Sequence, residues 1–356
     1  MQQKVLRNKY YKMSRNKKEI NPRLGTVGGE AVIEGVMMRS KERQSIAVRQ
    51  ENGEIVVKNK KNKSIKDKSK FFRIPFIRGI VNFVEALIMS YSTLNDATAM
   101  LGIEEEPGKF EKWLKKKFGA SLMSVMMVFS IVFAIALVVV LFVYLPIIST
   151  NGIAKLLSID LGYWKGAVEG VFKVIIFVLY LFLASLLPDM RRVFEYHGAE
   201  HKTVFCYEKG LELTVENVKK QSRFHPRCGT ALMFVIILIS IIVSSFIPPE
   251  LVTWERAALK ILLLPIVVGI GYEFIAYAGR HENVVTRTLS APGLWMQRIT
   301  TKEPDASQME CAIAALKSSM PSVFPDYAPV QFTEAKEPEI PEKTEEVKAA
   351  DENDGK

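Results

Sequence analysis

The chain has 356 residues, and 49% of them are hydrophobic. It contains three cysteines and has a formal net charge of +10. A chain of this length can hold two or more structural units, and so few cysteines in a reducing compartment exclude a disulfide-stabilised scaffold. The sequence contains no nucleotide-binding fingerprint and no phosphate-cradling glycine loop, which excludes those two classes of site.

The N-terminal part of the chain is strongly basic. Residues 1–73 carry about thirteen more basic than acidic side chains, a bias that the positive-inside rule places in the cytosol. No apolar segment follows the lysines and arginines of the first twenty residues, so we expect no secretory signal peptide. We predict a disordered basic arm over residues 1–24 that contacts an anionic surface, either lipid or RNA.

Two motifs predict a small antiparallel β unit over residues 25–60. The first is GGEAVIEGVMMRS (28–40), and the second is SIAVRQENGEIVVKNK (45–60). In the second motif, Asn52-Gly53 between two alternating apolar runs is a hairpin signal. In the first motif, Glu30, Val32 and Glu34 are expected to share one face of a strand, because side chains alternate with a period of two.

Residues 61–119 are predicted to form a lysine-rich linker followed by a helix. The segment 74–100 is apolar but is interrupted by Arg78, Glu85 and Asp96. Polar groups that recur on one helical face favour an interfacial or core-packed helix. A fifth membrane crossing is the alternative, and it would invert the orientation of everything downstream.

Four apolar runs have the length of membrane-spanning helices. They cover residues 121–148, 167–187, 230–247 and 257–278, and each approaches the ~20 residues that cross ~30 Å of hydrocarbon. The second and fourth runs contain charged residues, so buried helices of a soluble domain are the alternative for these two. We predict an α-helical integral membrane protein with about four transmembrane helices, a small N-terminal cytosolic β-sheet and a cytosolic loop between spans two and three.

Basic residues orient the predicted spans. The loop after the second span holds eight lysines and arginines, whereas the other two loops are short and nearly neutral. We therefore expect a multi-pass protein with both termini and the middle loop in the cytosol. The predicted units are the basic arm (1–24), the β unit (25–60), the linker and helix (61–119), transmembrane helices 1 and 2 (120–187), the cytosolic loop (188–229), transmembrane helices 3 and 4 (230–279), a cytosolic C-terminal segment (280–324) and an acidic disordered tail (325–356).

The cytosolic loop contains the pattern HGAEH at 197–201. If the helix of the second span continues past Leu187, His197 and His201 lie one turn apart on one face, with Glu200 beside them. This spacing lets a helix present two imidazoles to one metal ion. The order H-x-x-E-H is also that of inverzincin-type metallopeptidases, in which the glutamate polarises a metal-bound water.

A second pattern, FHPRCG at 224–229, supplies His225 and Cys228. Ligation by His197, His201, His225 and Cys228 together would close a zinc tetrahedron, which is typical of structural sites. With three ligands a position stays open for water, and Glu200 could serve as the general base. The alternatives are histidines that hydrogen-bond phosphate or backbone groups, and a cysteine that packs as a small hydrophobic residue.

The fourth span adds Glu273, which precedes His281 by about two helical turns. An ionisable group at membrane depth is costly unless it faces a polar interior. Glu273, His281 and Glu282 could therefore approach the HGAEH face as ligands or as partners of ligands. The alternative is an ion pair between Glu273 and an arginine near the membrane interface.

Four motifs together resemble a known family. GGEAVIEGVMMRS, EYHGAEHKTVFCYE, SRFHPRCGT and APGLWMQRITTKEPD are similar to the YqhQ-like bacterial membrane proteins, catalogued as domain of unknown function 1385. The resemblance covers about residues 25–316 and leaves the basic arm and the acidic tail outside. It implies an integral protein of the bacterial cytoplasmic membrane that is a predicted metal-dependent enzyme.

The sequence thus predicts a divalent metal ion, with zinc favoured, at His197, His201, His225 and Cys228. If the site is catalytic, metal-assisted hydrolysis with Glu200 as base fits best, and a structural or regulatory metal ranks level with catalysis. The other class is a non-enzymatic membrane scaffold or a partner in translocation or at the ribosome. A transporter ranks last, because the spans lack paired broken helices. Apart from the lipid bilayer and the anionic surface, the sequence indicates no particular partner.

Overall fold

The computed structural model describes residues 21–62, 64–65, 69–102, 120–278 and 284–332. Most of the basic arm, the segment 103–119, His281 with Glu282, and most of the acidic tail lie outside the described residues. The strands are β1 Gly28–Val32, β2 Gly35–Arg39, β3 Arg43–Arg49, β4 Ile55–Lys61 and β5 Val330–Gln331. The helices are α1 Ile77–Met100, α2 Ala120–Val139, α3 Leu145–Leu157, α4 Lys165–Ala184, α5 Pro188–Glu208, α6 Val215–Lys219, α7 Gly229–Ser245, α8 Thr253–Ala278, α9 Val284–Thr300 and α10 Ala306–Ser319.

The strands form one sheet in the order β1-β2-β3-β4-β5. The first four strands pair antiparallel, and β5 pairs parallel to β4. The hairpin predicted at Asn52-Gly53 is present between β3 and β4, where Gly53 has a φ of +84° that favours glycine. Glu34 differs from its prediction: it lies in the turn after β1, with a φ of +51°, and not in the strand that holds Glu30.

Helices cover both faces of the sheet. Val36 and Met38 of β2 pack with residues of α5 and α10 on one face. Met37, on the other face, packs with Ala97 and Met100 of α1. The middle of β2 is therefore an unbroken apolar run, because its two faces are both buried. This three-layer unit holds α5 in place, and α5 carries the candidate site.

Within the described residues, three helical segments are long and apolar enough to cross a membrane: Phe129–Leu157, Gly162–Ala184 and Thr253–Phe274. The first runs through α2, a π-helical turn at Val140–Tyr144 and α3. Helix α7 is also apolar but has only 17 residues. Large apolar side chains of the first segment, such as Phe129 at 69% exposure, face outward. Apolar surface on this scale fits a lipid environment better than water.

Glycines allow α4 and α7 to pack closely. A Cβ at Gly166 would overlap the backbone of Ser244, and one at Gly170 would overlap the side chain of Ile241. The two glycines are four residues apart and lie on one helical face, which is the G-x-x-x-G pattern of close helix packing in membranes. The contact brings the start of α4 beside the end of α7.

Ion pairs join both ends of α8 to neighbouring helices. Near its start, Arg256 and Lys260 contact the carboxylate of Glu169 on α4, with Arg256 Nε 3.1 Å from Glu169 Oε1. Near its end, Glu273 accepts a hydrogen bond of 2.7 Å from Arg78 Nε of α1. Glu273 thus forms an ion pair with an arginine, which was the alternative to its approaching the HGAEH face.

Candidate metal site

Helix α5 presents the HGAEH pattern. The helix of the second span does not continue into α5, because Leu187 is extended and Pro188 starts a new helix. Proline suits the first turn of a helix, where its missing N–H has no partner to lose. His197 and His201 still lie one turn apart on one face, with ring centroids 4.4 Å apart. The helix therefore holds two imidazoles side by side.

Backbone carbonyls orient both imidazoles. His197 Nδ1 lies 2.9 Å from the carbonyl oxygen of Thr300, and His201 Nδ1 lies 2.5 Å from that of Arg223. Because a carbonyl oxygen only accepts, each Nδ1 is assigned the proton and each Nε2 keeps its lone pair. Metal-binding histidines usually have such a partner on the second nitrogen. Two Nε2 atoms are thereby available as ligands.

Cys228 brings a third ligand atom to the same place. It precedes α7, and its Sγ lies 3.3 Å from His197 Nε2. The ligand atoms of His197, His201 and Cys228 all lie within 4.8 Å of one another, and we call these residues the three-ligand group. Ligands on one tetrahedral zinc ion are about 3.5 Å apart, given zinc–ligand bonds of ~2.0–2.3 Å. A small contraction would therefore place all three on one ion.

His225 has other partners. Its Nδ1 accepts a hydrogen bond from the Arg227 amide at 3.3 Å, and its Nε2 lies 3.5 Å from Glu208 Oε2. The side chain of Gln297 bonds the amide of His225 at 2.7 Å and its carbonyl at 2.8 Å. His225 packs beside the ring of His201 but lies outside the three-ligand group. Its role as a fourth ligand stays a prediction.

Glu200 is a buried carboxyl beside the histidines, 5% exposed. Its Oε2 lies 3.5 Å from His201 Nε2. Burial raises the pKa of the Glu200 carboxyl, and the neighbouring imidazoles of His197 and His225 and the Gly29 amide offset only part of this rise. Gly29 has to be small here, because a Cβ would overlap the Met37 carbonyl oxygen and press on Glu200.

Glu208 anchors the loop that carries Cys228. Both of its carboxylate oxygens lie 2.6 Å from Arg227 Nη2, and one accepts a hydrogen bond of 3.0 Å from the Gly25 amide. Burial raises the pKa of Glu208, but the hydrogen bonds of His225 and Gly25 and the charge of Arg227 outweigh it, and the net shift is downward. An ionised Glu208 therefore joins the segment before β1 to the FHPRCG loop.

A cavity of about 400 Å³ adjoins the site. Its wall includes Glu200, His201 and Cys228 together with the glycines before and within β1. A volume of this order accommodates a small ligand or the headgroup of a larger one. Two members of the three-ligand group, His201 and Cys228, thus border a space of the size of a small molecule.

The two glutamates of GGEAVIEGVMMRS face other parts of the structure. Glu30 accepts a hydrogen bond of 2.5 Å from the Ser90 hydroxyl of α1. Glu34 pairs with Arg192 and accepts a hydrogen bond of 3.2 Å from the Tyr196 hydroxyl, both of α5. These contacts hold the sheet against α1 and α5.

Sequence reasoning missed the residues that orient the site. Gln297 and Thr300 belong to α9, in the motif APGLWMQRITTKEPD, to which we assigned no role. The two histidines bond the backbone carbonyls of Thr300 and Arg223, and any residue type could supply such a carbonyl. The sequence held one signal, the polar residue Gln297 directly after Trp295 and Met296. In the structure Gln297 is fully buried.

Comparison with known proteins assigns the chain to a family. The model described as protein of unknown function (DUF1385) matches residues 74–322. The chain belongs to the DUF1385 family. The uncharacterized protein YqhQ of Bacillus subtilis (strain 168) is 34% identical over 291 residues, which are 80% of this chain and 89% of that protein. No solved structure matches the chain. The DUF1385 match contains Glu200, the three-ligand group and His225, and it confirms the resemblance drawn from the four motifs.

Proposed function

We propose that the protein holds a divalent metal ion at His197, His201 and Cys228 and uses it for hydrolysis at the cytosolic face of the bacterial cytoplasmic membrane. The observation that carries this proposal is the arrangement of the two imidazoles, whose Nδ1 atoms bond backbone carbonyls and which each bring a ring nitrogen within 4.8 Å of the Cys228 sulfur. Two imidazoles and a thiolate form a donor set that suits zinc. Zinc is therefore the metal we favour.

Three protein ligands favour a catalytic site over a closed structural one. Zinc takes four ligands, and catalytic sites keep one position for water or substrate. His225 has both ring nitrogens engaged, with Arg227 and with Glu208. The cavity beside the three-ligand group supplies the space that an open position requires.

Glu200 is our candidate for the general base. Its carboxylate lies 3.5 Å from His201 Nε2, on the side where the ligand atoms meet. A carboxylate in this position can accept a proton from a water held at the open position of the metal. The metal would supply a Lewis acid, and Glu200 would take the proton of the attacking water and pass it to the leaving group.

The bundle supports four crossings, although α7 is shorter than a standard span. Glu169 places the start of α8 beside the start of α4, and Arg78 fixes the end of α8 to α1 of the three-layer unit. Helix α7 starts next to Cys228 and ends before Ile247, whose carbonyl lies 3.4 Å from Arg256 Nη1. It therefore runs from the metal-site end of the bundle to the opposite end. Its 17 residues rise about 25 Å, so a thinner local bilayer would accommodate it.

Cobalt substitution tests the metal site with a spectroscopic readout. The detergent-purified protein loaded with Co(II) should show the strong visible bands of a tetrahedral site and a thiolate charge-transfer band. His201→Ala should lose the metal, and Cys228→Ala should lose the thiolate band. Added azide should shift the bands, because an open position can accept it. Bands that azide leaves unchanged would favour a structural site, and a wild-type protein without metal would move the assignment to a membrane scaffold.

Glu200→Gln separates hydrolysis from metal binding. We expect it to keep the metal and to lose about 10²–10⁴-fold in the rate of hydrolysis of p-nitrophenyl esters and phosphate esters, the usual contribution of a general base. His225→Gln is the matched control, since it replaces a neighbouring polar residue outside the three-ligand group and should also keep the metal. Full activity in Glu200→Gln would contradict the role of base.

A further inference from the structure

Helix α1 has one face on the sheet and an exposed apolar face on the opposite side. Ala97 and Met100 pack on the sheet, and Thr93 accepts a hydrogen bond of 2.9 Å from Gln44 of β3. The opposite side carries five large apolar side chains that are 41–59% exposed, which we call the α1 stripe: Val84, Leu87, Ile88, Tyr91 and Leu94. Spacings of three and four residues place them on one helical face. An exposed apolar patch of this kind marks a contact surface.

The start of α1 lies against a helix that is long and apolar enough to cross a membrane. A Cβ at Gly79 would lie 3.2 Å from the Cα of Gly269 in α8, and Arg78 pairs with Glu273. Gly269 precedes the end of the apolar segment, at Phe274, by about 7.5 Å along the helix axis. The start of α1 therefore lies at membrane depth, at the end of α8 that adjoins the three-layer unit.

One row of side chains on α8 passes from the surroundings of the protein to α1. The row consists of Leu262, Ile266, Gly269 and Glu273, which are four, three and four residues apart and share one face. Leu262 and Ile266 are 72% and 52% exposed, whereas Gly269 and Glu273 contact the start of α1. Phe76 lies on Gly269 and is itself 53% exposed. The outward apolar surface of α8 thus continues onto the segment that begins α1.

We propose that the α1 stripe is immersed in the lipid leaflet next to the three-layer unit, so that lipid covers one face of α1 and the sheet covers the other. An amphipathic helix in this position buries its apolar face at the boundary between headgroups and acyl chains. The continuity with the outward row of α8 favours lipid over a protein partner, because the same medium would cover both surfaces. Five side chains of one helix are also few for a stable dimer, which buries about 1,200–2,000 Å².

Spin labels on the full-length protein in nanodiscs test what covers the stripe. The background is Cys228→Ser, in which the remaining native cysteines are buried. Single labels at Leu87 and Ile88 should collide several-fold more often with oxygen, which dissolves in lipid, than with a water-soluble nickel chelate. A label at Ile266 is the control for lipid, and one at the exposed Lys220 is the control for water.

The preference for oxygen should persist in nanodiscs of phosphatidylcholine alone and at high salt, because the stripe carries no charge and salt screens only charged contacts. A preference that disappears under these conditions would contradict immersion of the stripe and indicate a contact driven by basic residues.

Two further results would overturn the proposal. Preferential collision with the nickel chelate at both stripe positions would show that the stripe faces water. Rare collision with both reagents would show that protein covers it, and dipolar broadening between labels would identify that protein as a second copy of the chain. The background lacks one proposed metal ligand, so the outcome is independent of the proposed function.

Discussion

The glycine of HGAEH is required by a contact between α5 and the segment that follows α9. A Cβ at Gly198 would overlap the carbonyl oxygen of Lys302, whose amide donates a hydrogen bond of 2.8 Å to the Phe194 carbonyl. The segment after α9 therefore lies directly on α5. The same contact brings the Thr300 carbonyl against His197, so a position without chemistry of its own determines the orientation of a ligand of the proposed metal.

Gly198→Ala should disturb both stability and metal binding. The methyl group would push the Lys302 segment away from α5, at a cost of about 1–3 kcal/mol for an overpacked site. We expect a lower midpoint of thermal unfolding and a loss of metal from His197, measured by differential scanning fluorimetry and elemental analysis. Gly152→Ala is the control: it is also a helical glycine, its Cβ would meet open space, and alanine favours helix. Equal behaviour of the two variants would show that the close contact has no effect.

At the residue scale, the sequence was informative wherever chemistry depends on side-chain type. The spacing of His197 and His201 predicted their common face. The FHPRCG pattern predicted that His225 and Cys228 would join them, and of these two only Cys228 belongs to the three-ligand group. The partners of these ligands could not be predicted in the same way, because Thr300 and Arg223 contribute backbone oxygens. Any residue type could provide those atoms, so only the fold identifies them.

Among the helices, α4 and α8 share a buried ionic cluster. Arg256 is 0% exposed and Glu169 is 1% exposed, and Lys260 also contacts the carboxylate. Arg256 in addition donates a hydrogen bond of 2.6 Å to the Pro248 carbonyl, which lies between α7 and α8. One carboxylate thus joins α4 to α8, and Arg256 also holds the loop between α7 and α8.

Glu169→Gln should destabilise the bundle strongly. It leaves Arg256 and Lys260 buried without a countercharge, and losing one partner of a buried ion pair costs about 3–5 kcal/mol. We expect a clear drop in the melting temperature in detergent, and a partial recovery in the double variant Glu169→Gln/Lys260→Met. Glu216→Gln, at an exposed position of α6, is the control and should melt as the wild type does. A melting temperature unchanged in Glu169→Gln would count against a stabilising role of the cluster.

At the element scale, the periodicity of the sequence located the apolar helices but not all of their boundaries. The second span was predicted to end at Leu187, whereas its helix ends at Ala184 and Pro188 already belongs to the first turn of α5. Strand β5 was also missed, since two residues that pair with β4 are too few for a pattern. The Asn52-Gly53 hairpin was predictable, because its turn depends on local conformation alone.

For the whole molecule, the orientation in the membrane can be measured by cysteine labelling. In a Cys228→Ser background, single cysteines at Asp160 and Glu250 should react with a membrane-impermeant maleimide in intact cells, and one at Lys220 only after permeabilisation. All three positions are exposed, and the remaining native cysteines are buried. Protection at Glu250 combined with labelling at Asp160 would show that α7 does not cross the bilayer.

The long-range contacts of the three-layer unit also constrain how the protein is made. The imidazoles on α5 leave the ribosome before α7 and α8 have been inserted, yet the carbonyl that orients His197 belongs to Thr300, at the end of α9. Until that segment is made, nothing fixes the orientation of His197. Binding of the proposed metal should therefore be among the last steps of biogenesis, and a chain that stalls before Thr300 should be unable to retain it.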